Sequence, residues 1–276
     1  MKWRNRGKII VIPLTIFLLL ILLFPFFVML STMLKSGKEV YSSPPYWIPK
    51  KIMFANFVKV WKEYDLLSYF KSSLIIAIGT TILNVLVTVP AAYAAARLRF
   101  IGKQVILYFF LVIQMFSQVI VVISLFKIMA RLDLLDTYTS LILANTVFTI
   151  AFTVWMMNGY FKSIPKEIEE AALIDGCSRV ATITRIMIPI AAPGLVTAMI
   201  YTFIFAWNEF LFGLTFIQSK PKMPLTLGLY NFVGRWTTQW EYLTSAAFFA
   251  LLPVLILFYI IEKRLVTGLA GGAVKG

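Results

Sequence analysis

Six long apolar stretches constrain this chain more than any motif in it. They lie near 9–33, 70–95, 104–127, 138–161, 190–217 and 243–262, and each supplies roughly the 20 residues that a ~30 Å hydrocarbon core demands of a helix. Of the 276 residues, 60% are hydrophobic, 16% aromatic and only 14% charged, whereas a soluble domain carries about 25% charged residues. The expected fold is therefore an all-α polytopic membrane protein with about six transmembrane helices, one bundle over residues 1–276. No internal repeat, low-complexity tract or soluble domain interrupts it.

The net charge of +14 would suggest nucleic acid in a soluble protein. Here the basic residues fall between the apolar runs, where they retain cytoplasmic loops and meet anionic lipid head groups. Membrane lipid, not nucleic acid, is the expected partner. Lys2, Arg4, Arg6 and Lys8 precede a first stretch that is longer than a signal-peptide core and lacks a small-residue cleavage site. A retained first span then keeps the N-terminus cytoplasmic, and an even number of spans returns Lys263, Arg264 and the tail 263–276 to the same side. The other inner loops are 97–103 and 162–189. Lys35, Lys38, Lys50, Lys51, Lys59 and Lys62 in the first outer loop blunt this asymmetry. That loop also holds Ser43-Pro44-Pro45-Tyr46-Trp47-Ile48-Pro49, whose prolines forbid regular helix and whose aromatics suit the membrane interface; a docking surface and a plain connector both fit.

The chain has no histidine and one cysteine, Cys177, so an intramolecular disulfide, a zinc site and His-based acid–base chemistry all lack their parts. It contains no Gly-x-x-x-x-Gly-Lys-[Ser/Thr] phosphate loop: Gly102-Lys103 is followed by Gln104 and lacks the earlier glycine. A transport step that consumes ATP must then draw it from another polypeptide, and no cofactor is expected in this chain.

The segment from Ser163 to Gly176 reads as a short helix with its own start and stop. Pro165 fits the first helical position, Glu167, Glu169 and Glu170 complement the positive end of the helix dipole, and Gly176 suits the left-handed residue beyond the last turn. Ile164, Ile168, Ala171 and Ala172 share one face, with Lys166, Glu169, Glu170 and Asp175 mostly elsewhere. Too short to span a membrane, such a helix either lies on its surface or fills a groove on a soluble partner.

Glu170-Ala171-Ala172, three residues, Gly176, nine residues and then Ile186-Met187-Ile188-Pro189 together resemble the EAA loop of ABC importer permeases, with Ile188 where that pattern has Leu. Ala206-Trp207-Asn208-Glu209-Phe210 and the ending 265–276 are similar to the maltose-permease, MalG-like branch for carbohydrate uptake, apart from Ala270 and Gly271. The resemblance implies a permease of the bacterial cytoplasmic (inner) membrane. A second permease subunit would complete its pathway, two ATPase subunits would hold ATP and Mg, and an extracytoplasmic sugar-binding protein would deliver the solute. It further implies that Glu170, Ala171, Ala172, Asp175, Gly176, Ile186 and Pro189 form the coupling segment, between spans four and five. There Glu170 contacts the ATPase, the two alanines allow close approach and Gly176 makes the turn. Gly272, Ala273, Val274, Lys275 and Gly276 would reach the same interface; without the resemblance they read as a frayed terminus.

Polar groups inside lipid tend to face a bundle interior or a wet cavity. That makes Asn84, Gln114, Gln118, Asn145, Asn158, Asn208 and Glu209 candidates for the pathway, with Trp155, Tyr201 and Trp207 as aromatic faces for a sugar. The competing role for amides is hydrogen bonding between helices. A secondary transporter would be expected to show inverted repeats and ion-coupling charges at mid-membrane, where only Glu209 is found. A membrane-embedded enzyme would need a catalytic constellation that is not present. Within the importer reading the solute is a sugar or oligosaccharide, with glycerol phosphate or another polyol phosphate as the alternative.

Overall fold

The computed structural model describes residues 3–234 and 236–272, with side chains described within 11–260. Its helices in chain order are α1 (Trp3–Met33), α2 (Gly37–Val40), α3 (Ala55–Lys62), α4 (Leu66–Arg97), α5 (Lys103–Gln114), α6 (Gln118–Arg131), α7 (Tyr138–Ser163), α8 (Lys166–Ile174), α9 (Arg179–Thr182), α10 (Ile188–Ile190), α11 (Ala192–Trp207), α12 (Leu211–Phe216), α13 (Leu225–Tyr230) and α14 (Trp240–Gly272). Among the described residues no strand forms beyond one isolated bridge between Val233 and Thr238. The chain forms two compact units, Met1–Leu66 with Leu229–Leu252, and Leu67–Gly228 with Pro253–Gly276.

Among the described residues four helices are long and apolar enough to cross a membrane, and up to six spans result when two bent pairs are each counted as one. The helices α1, α4, α7 and α14 take in the first, second, fourth and sixth apolar stretches. The third and fifth stretches, expected as continuous spans, are broken. α5 and α6 meet at 104°, because Ser117 turns extended and caps α6, its hydroxyl accepting from the Val119 N–H. The fifth stretch stops at Trp207 and resumes as α12 after Asn208–Phe210. Hydropathy is blind to both breaks, since capping residues cost an apolar window little.

In the first unit α1 stands apart: none of its most apolar 18-residue window is buried. Its end is tied down, the Asn56 amide donating to the carbonyls of Met33 and Lys35, each at 2.9 Å. Phe57 and Trp61 pack edge-on against Phe249 at 5.8 and 5.0 Å.

In the second unit α4 and α7 are joined through polar groups. The Asn84 amide donates to the Thr149 hydroxyl at 2.9 Å, the Thr88 hydroxyl donates to Asn84 at 3.1 Å, and the Thr88 and Thr153 hydroxyls lie 2.9 Å apart, all fully buried. Where water and lipid are both absent, each group must find its partner on a neighbouring helix. Small residues let α11 approach α7, and at Gly194 a Cβ would lie 2.4 Å from the Tyr160 ring. One apolar cluster joins Tyr93, Met157, Phe161, Met187 and Ala191 near the end of α4 that carries Arg97. Another joins Ile76, Met129, Phe148, Phe212 and Phe216 toward its other end.

Candidate functional site

α8 is bounded by local backbone chemistry. Pro165, expected as its first residue, is instead the cap before it, extended at φ −55° and ψ 140°. Gly176 has φ +85°, a conformation glycine adopts without steric cost. It closes the helix as the Gly176 and Cys177 N–H groups return to the carbonyls of Leu173 (3.1 Å) and Ala172 (3.0 Å). Beyond α9, residues Ile183–Met187 form a π-helical turn containing Ile186, leading to Pro189 in α10. The chain then bends 84° into α11. The segment from α8 to α10 is thus a compact cap on the ends of α4 and α7.

The apolar face expected along α8 divides in two. Ile164 and Ala172 are buried, while Ile168 and Ala171 are open to solvent together with Leu173, Glu170, Asp175 and Ile174, the last 85% exposed. The two adjacent glutamates diverge, as successive helical residues must. Glu170 points outward, whereas Glu169, expected on the solvated side, turns inward to pair with Arg97 Nε at 2.9 Å, their side chains 13% and 6% exposed. The Tyr93 hydroxyl also donates to Glu169, and Arg97 Nη2 donates to the Ile164 carbonyl at 2.7 Å. Pattern reading on one helix missed Tyr93 and Arg97.

A cavity of about 540 Å³ gathers four of the proposed pathway residues, Gln118, Tyr201, Asn208 and Glu209, with Ile204 and Phe205 behind them. Gln114, the last residue of α5, is not among the residues that line it. Both helix breaks contribute, Gln118 opening α6 and Asn208 and Glu209 following α11. Part of the polarity is already engaged. The Asn208 amide donates to the Ile204 carbonyl at 2.9 Å, and the Glu209 carboxylate caps α12, accepting from the N–H groups of Phe212 and of Gly213, the latter at 3.0 Å. A carboxylate at this depth therefore has a structural task. The other candidates lie elsewhere. Asn145 is buried in α7, donating to the Leu141 carbonyl at 2.8 Å. Trp207 is buried with Phe203 stacked on it at 5.8 Å and Phe70 edge-on at 5.4 Å. Trp155 is exposed near the far end of α7, beside Asn158 and Lys162. A larger cavity of about 590 Å³, lined by Phe70, Ile78, Met199, Phe203 and Leu257, is almost wholly apolar and offers a hydroxyl-rich solute nothing to bond. Of the proposed tail contacts, Gly272 ends α14, and Ala273–Gly276 lie outside the described residues.

A clasp at the opposite end of α7 also escaped sequence reading. Asp136, at φ +55°, accepts from the Ser219 hydroxyl, the backbone N–H groups of Ser219 and Gln218 (2.9 and 3.1 Å) and Lys222 Nζ (3.2 Å). The Ser219 hydroxyl foremost, then these N–H donors, hold its carboxyl well below the usual range. Two left-handed aspartates, Asp133 and Asp136, just before the Thr137 cap of α7 were the available signal, because aspartate tolerates that conformation.

Residues 88–270 match the family described as the binding-protein-dependent transport system inner membrane component. The inner membrane ABC transporter permease protein YcjP of Escherichia coli is 36% identical over 94% of this chain and 93% of its own. The trehalose/maltose transport system permease protein MalG of Thermococcus litoralis is 33% identical over 98% and 97%. In fold, the chain aligns with a TM-score of 0.82 and 22% identity to a chain of a bacterial ABC transporter involved in the import of the acidic polysaccharide alginate, covering 94% of this chain and 96% of that one. A polytopic bundle without a nucleotide-binding loop, capped by an EAA segment and matched along nearly its whole length, belongs to the binding-protein-dependent transport system inner membrane component family, as a permease.

Proposed function

We propose that this chain is one of two permease subunits of an ATP-driven sugar importer, with both termini on the side of α8. The observation that carries the reading is the α8–α10 cap: a short, firmly bounded helix that spends Glu169 and Ala172 on its own bundle and leaves Glu170, Ala171, Asp175 and Ile174 unengaged by it. That surface suits the groove of an ATPase subunit, with Ile186 and Pro189 stiffening its return to the membrane and Gly272–Gly276 proposed as further contacts for the same partner. ATP and its Mg²⁺ then belong to the two ATPase subunits.

Support for a second permease comes from α1, an apolar span with no buried residue in its most apolar window. For a sugar as solute, support comes from the cavity that sets the Tyr201 ring beside Gln118 and Asn208, and from the trehalose/maltose relative. An aromatic face beside amide donors and acceptors is the chemistry a sugar ring and its hydroxyls require. An extracytoplasmic binding protein would deliver the solute to the side opposite α8.

The test is co-purification of the chain with its second permease and an ATPase subunit, comparing wild type with Gly176→Asp and with a truncation after Leu265. Wild type should yield a complex whose ATP hydrolysis rises with solute-loaded binding protein. Gly176→Asp, which adds a charged side chain to the exposed end of α8 where the ATPase subunit would approach, should lose assembly or stimulation, and the truncation should weaken ATPase retention. A chain that purifies alone and moves solute without any ATPase refutes the reading.

A further inference from the structure

We propose that Glu169, Arg97 and Tyr93 are positioning residues that lock α8 to α4, so that a displacement imposed on α8 is delivered along α4 to the segment bordering the Gln118–Glu209 cavity. This inference rests on the reading of α8 as the ATPase-facing helix.

The connection runs through one ion pair and a series of hydrogen bonds. At one end Arg97, the last residue of α4, bridges two points of the α8 segment, Nε against Glu169 and Nη2 on the Ile164 carbonyl, with Tyr93 one turn earlier donating to the same carboxylate. A planar guanidinium held at two points resists rotation as a lysine would not. Its near-complete burial keeps the attraction from being screened by water. From Arg97, α4 runs back past Pro90 over 32 residues, about 48 Å at 1.5 Å per residue, braced at the turn from Asn84 to Thr88 by the buried Asn84–Thr149 and Thr88–Thr153 contacts with α7. At its other end the Ser72 hydroxyl donates to the Pro221 carbonyl at 2.9 Å, and Ser73 Oγ accepts from the Leu225 N–H at 2.7 Å. The next residue, Thr226, donates its hydroxyl to the Glu209 carbonyl, at the cavity wall. Adjacent glutamates thereby divide two tasks: Glu170 faces the partner and Glu169 holds the span. A ligand shifts a conformational equilibrium only through contacts that differ between the states, and a joint that yielded at Arg97 would dissipate the shift before it reached the cavity.

The test uses the full complex of both permeases with the ATPase subunits. In a Cys177→Ser background, spin labels at Lys166→Cys on α8 and Leu67→Cys at the far end of α4 report the distance between the two ends, with and without ATP–Mg²⁺. With the link intact the distance distribution should stay single and unmoved by nucleotide. In Glu169→Gln it should broaden and shift on adding ATP, while the ATPase subunits still co-purify. Tyr93→Phe, which removes one hydroxyl, should give a smaller shift, and Glu170→Gln should leave the distribution as in wild type. An unmoved distribution in both Glu169→Gln and Tyr93→Phe, or a wild-type distance that itself shifts with ATP, overturns the inference and leaves the importer reading standing. Failure of the wild type to recover any ATPase removes the importer reading and this inference with it.

Discussion

At one end of α4 the Arg97–Glu169 pair is nearly sealed from solvent, whereas near the other end Asp136 and Lys222 meet with side chains 29% and 40% exposed. The sealed pair joins a span to the short α8 and is supported by a tyrosine and a backbone carbonyl. The open pair joins two loops, and most of its hydrogen bonds come from Ser219 and backbone N–H groups rather than from lysine. Breaking a buried pair strands a charge that has already lost its water, while breaking an exposed one lets water replace the partner. The same residue chemistry thus makes a rigid joint at one end and a tolerant clasp at the other.

The largest effect should follow from Arg97→Met, which leaves Glu169 buried without its cation and the Ile164 carbonyl without a donor. A loss of about 3–5 kcal/mol is expected, seen as a marked fall in the melting temperature of the purified chain. Adding Glu169→Leu should recover most of that loss, because the remaining charge goes with it. A single-variant cost of less than about 1 kcal/mol would mean that this joint is as hydrated as the clasp, and the contrast between the two ends would collapse.

Asp136→Asn should cost less, about 1 kcal/mol after allowance for the exposure of Lys222, and its effect should depend on pH. Because the folded-state carboxyl lies below its usual range, its contribution is fully present above the ordinary aspartate pKa of about 3.9 and is lost as pH falls through the folded-state value. The gap between wild type and Asp136→Asn should be constant from pH 7 to pH 5, by the same reference value of about 3.9, and narrow only in stronger acid. Raising the salt to about 1 M, where the screening length is about 3 Å, should shrink the Asp136→Asn effect and leave that of Arg97→Met nearly unchanged. Equal salt sensitivity at both ends would contradict the assignment of one pair to the interior.

What could be read from the sequence was what the backbone encodes locally. Pro165 and Gly176 delimit α8 to within a residue because the chemistry of helix ends acts over a single turn. The apolar runs gave the membrane class because burial in lipid is decided residue by residue. Tyr93 and Glu169 are 76 positions apart, and nothing on either helix alone announces that they meet. Glu209 shows a subtler failure. An acidic residue amid apolar ones invites a transport role, yet three and four positions later lie the N–H groups it caps. The signal was in the sequence, but hydropathy hid the helix start that gives it meaning. Ser117 was overlooked for the same reason.

Between the two ends lies a third kind of contact, neutral and wholly buried, and it supplies the smallest predicted effect. Thr88 and Thr153 share a hydrogen bond of 2.9 Å between α4 and α7. Thr88 spends its one proton on Asn84, so Thr153 is the donor between the two, and without Thr88 it can donate to the Thr149 carbonyl instead. Replacing one by valine therefore strands little, and helix-to-helix bonds of this type in membranes average about 0.6 kcal/mol. A double-mutant cycle of Thr88→Val and Thr153→Val, measured by denaturant unfolding in detergent, should give a coupling of about that size, independent of salt and of pH. A coupling as large as that of the Arg97 pair would mean that α4 and α7 are held by their polar middle, and that the charged joint at Arg97 adds position without strength.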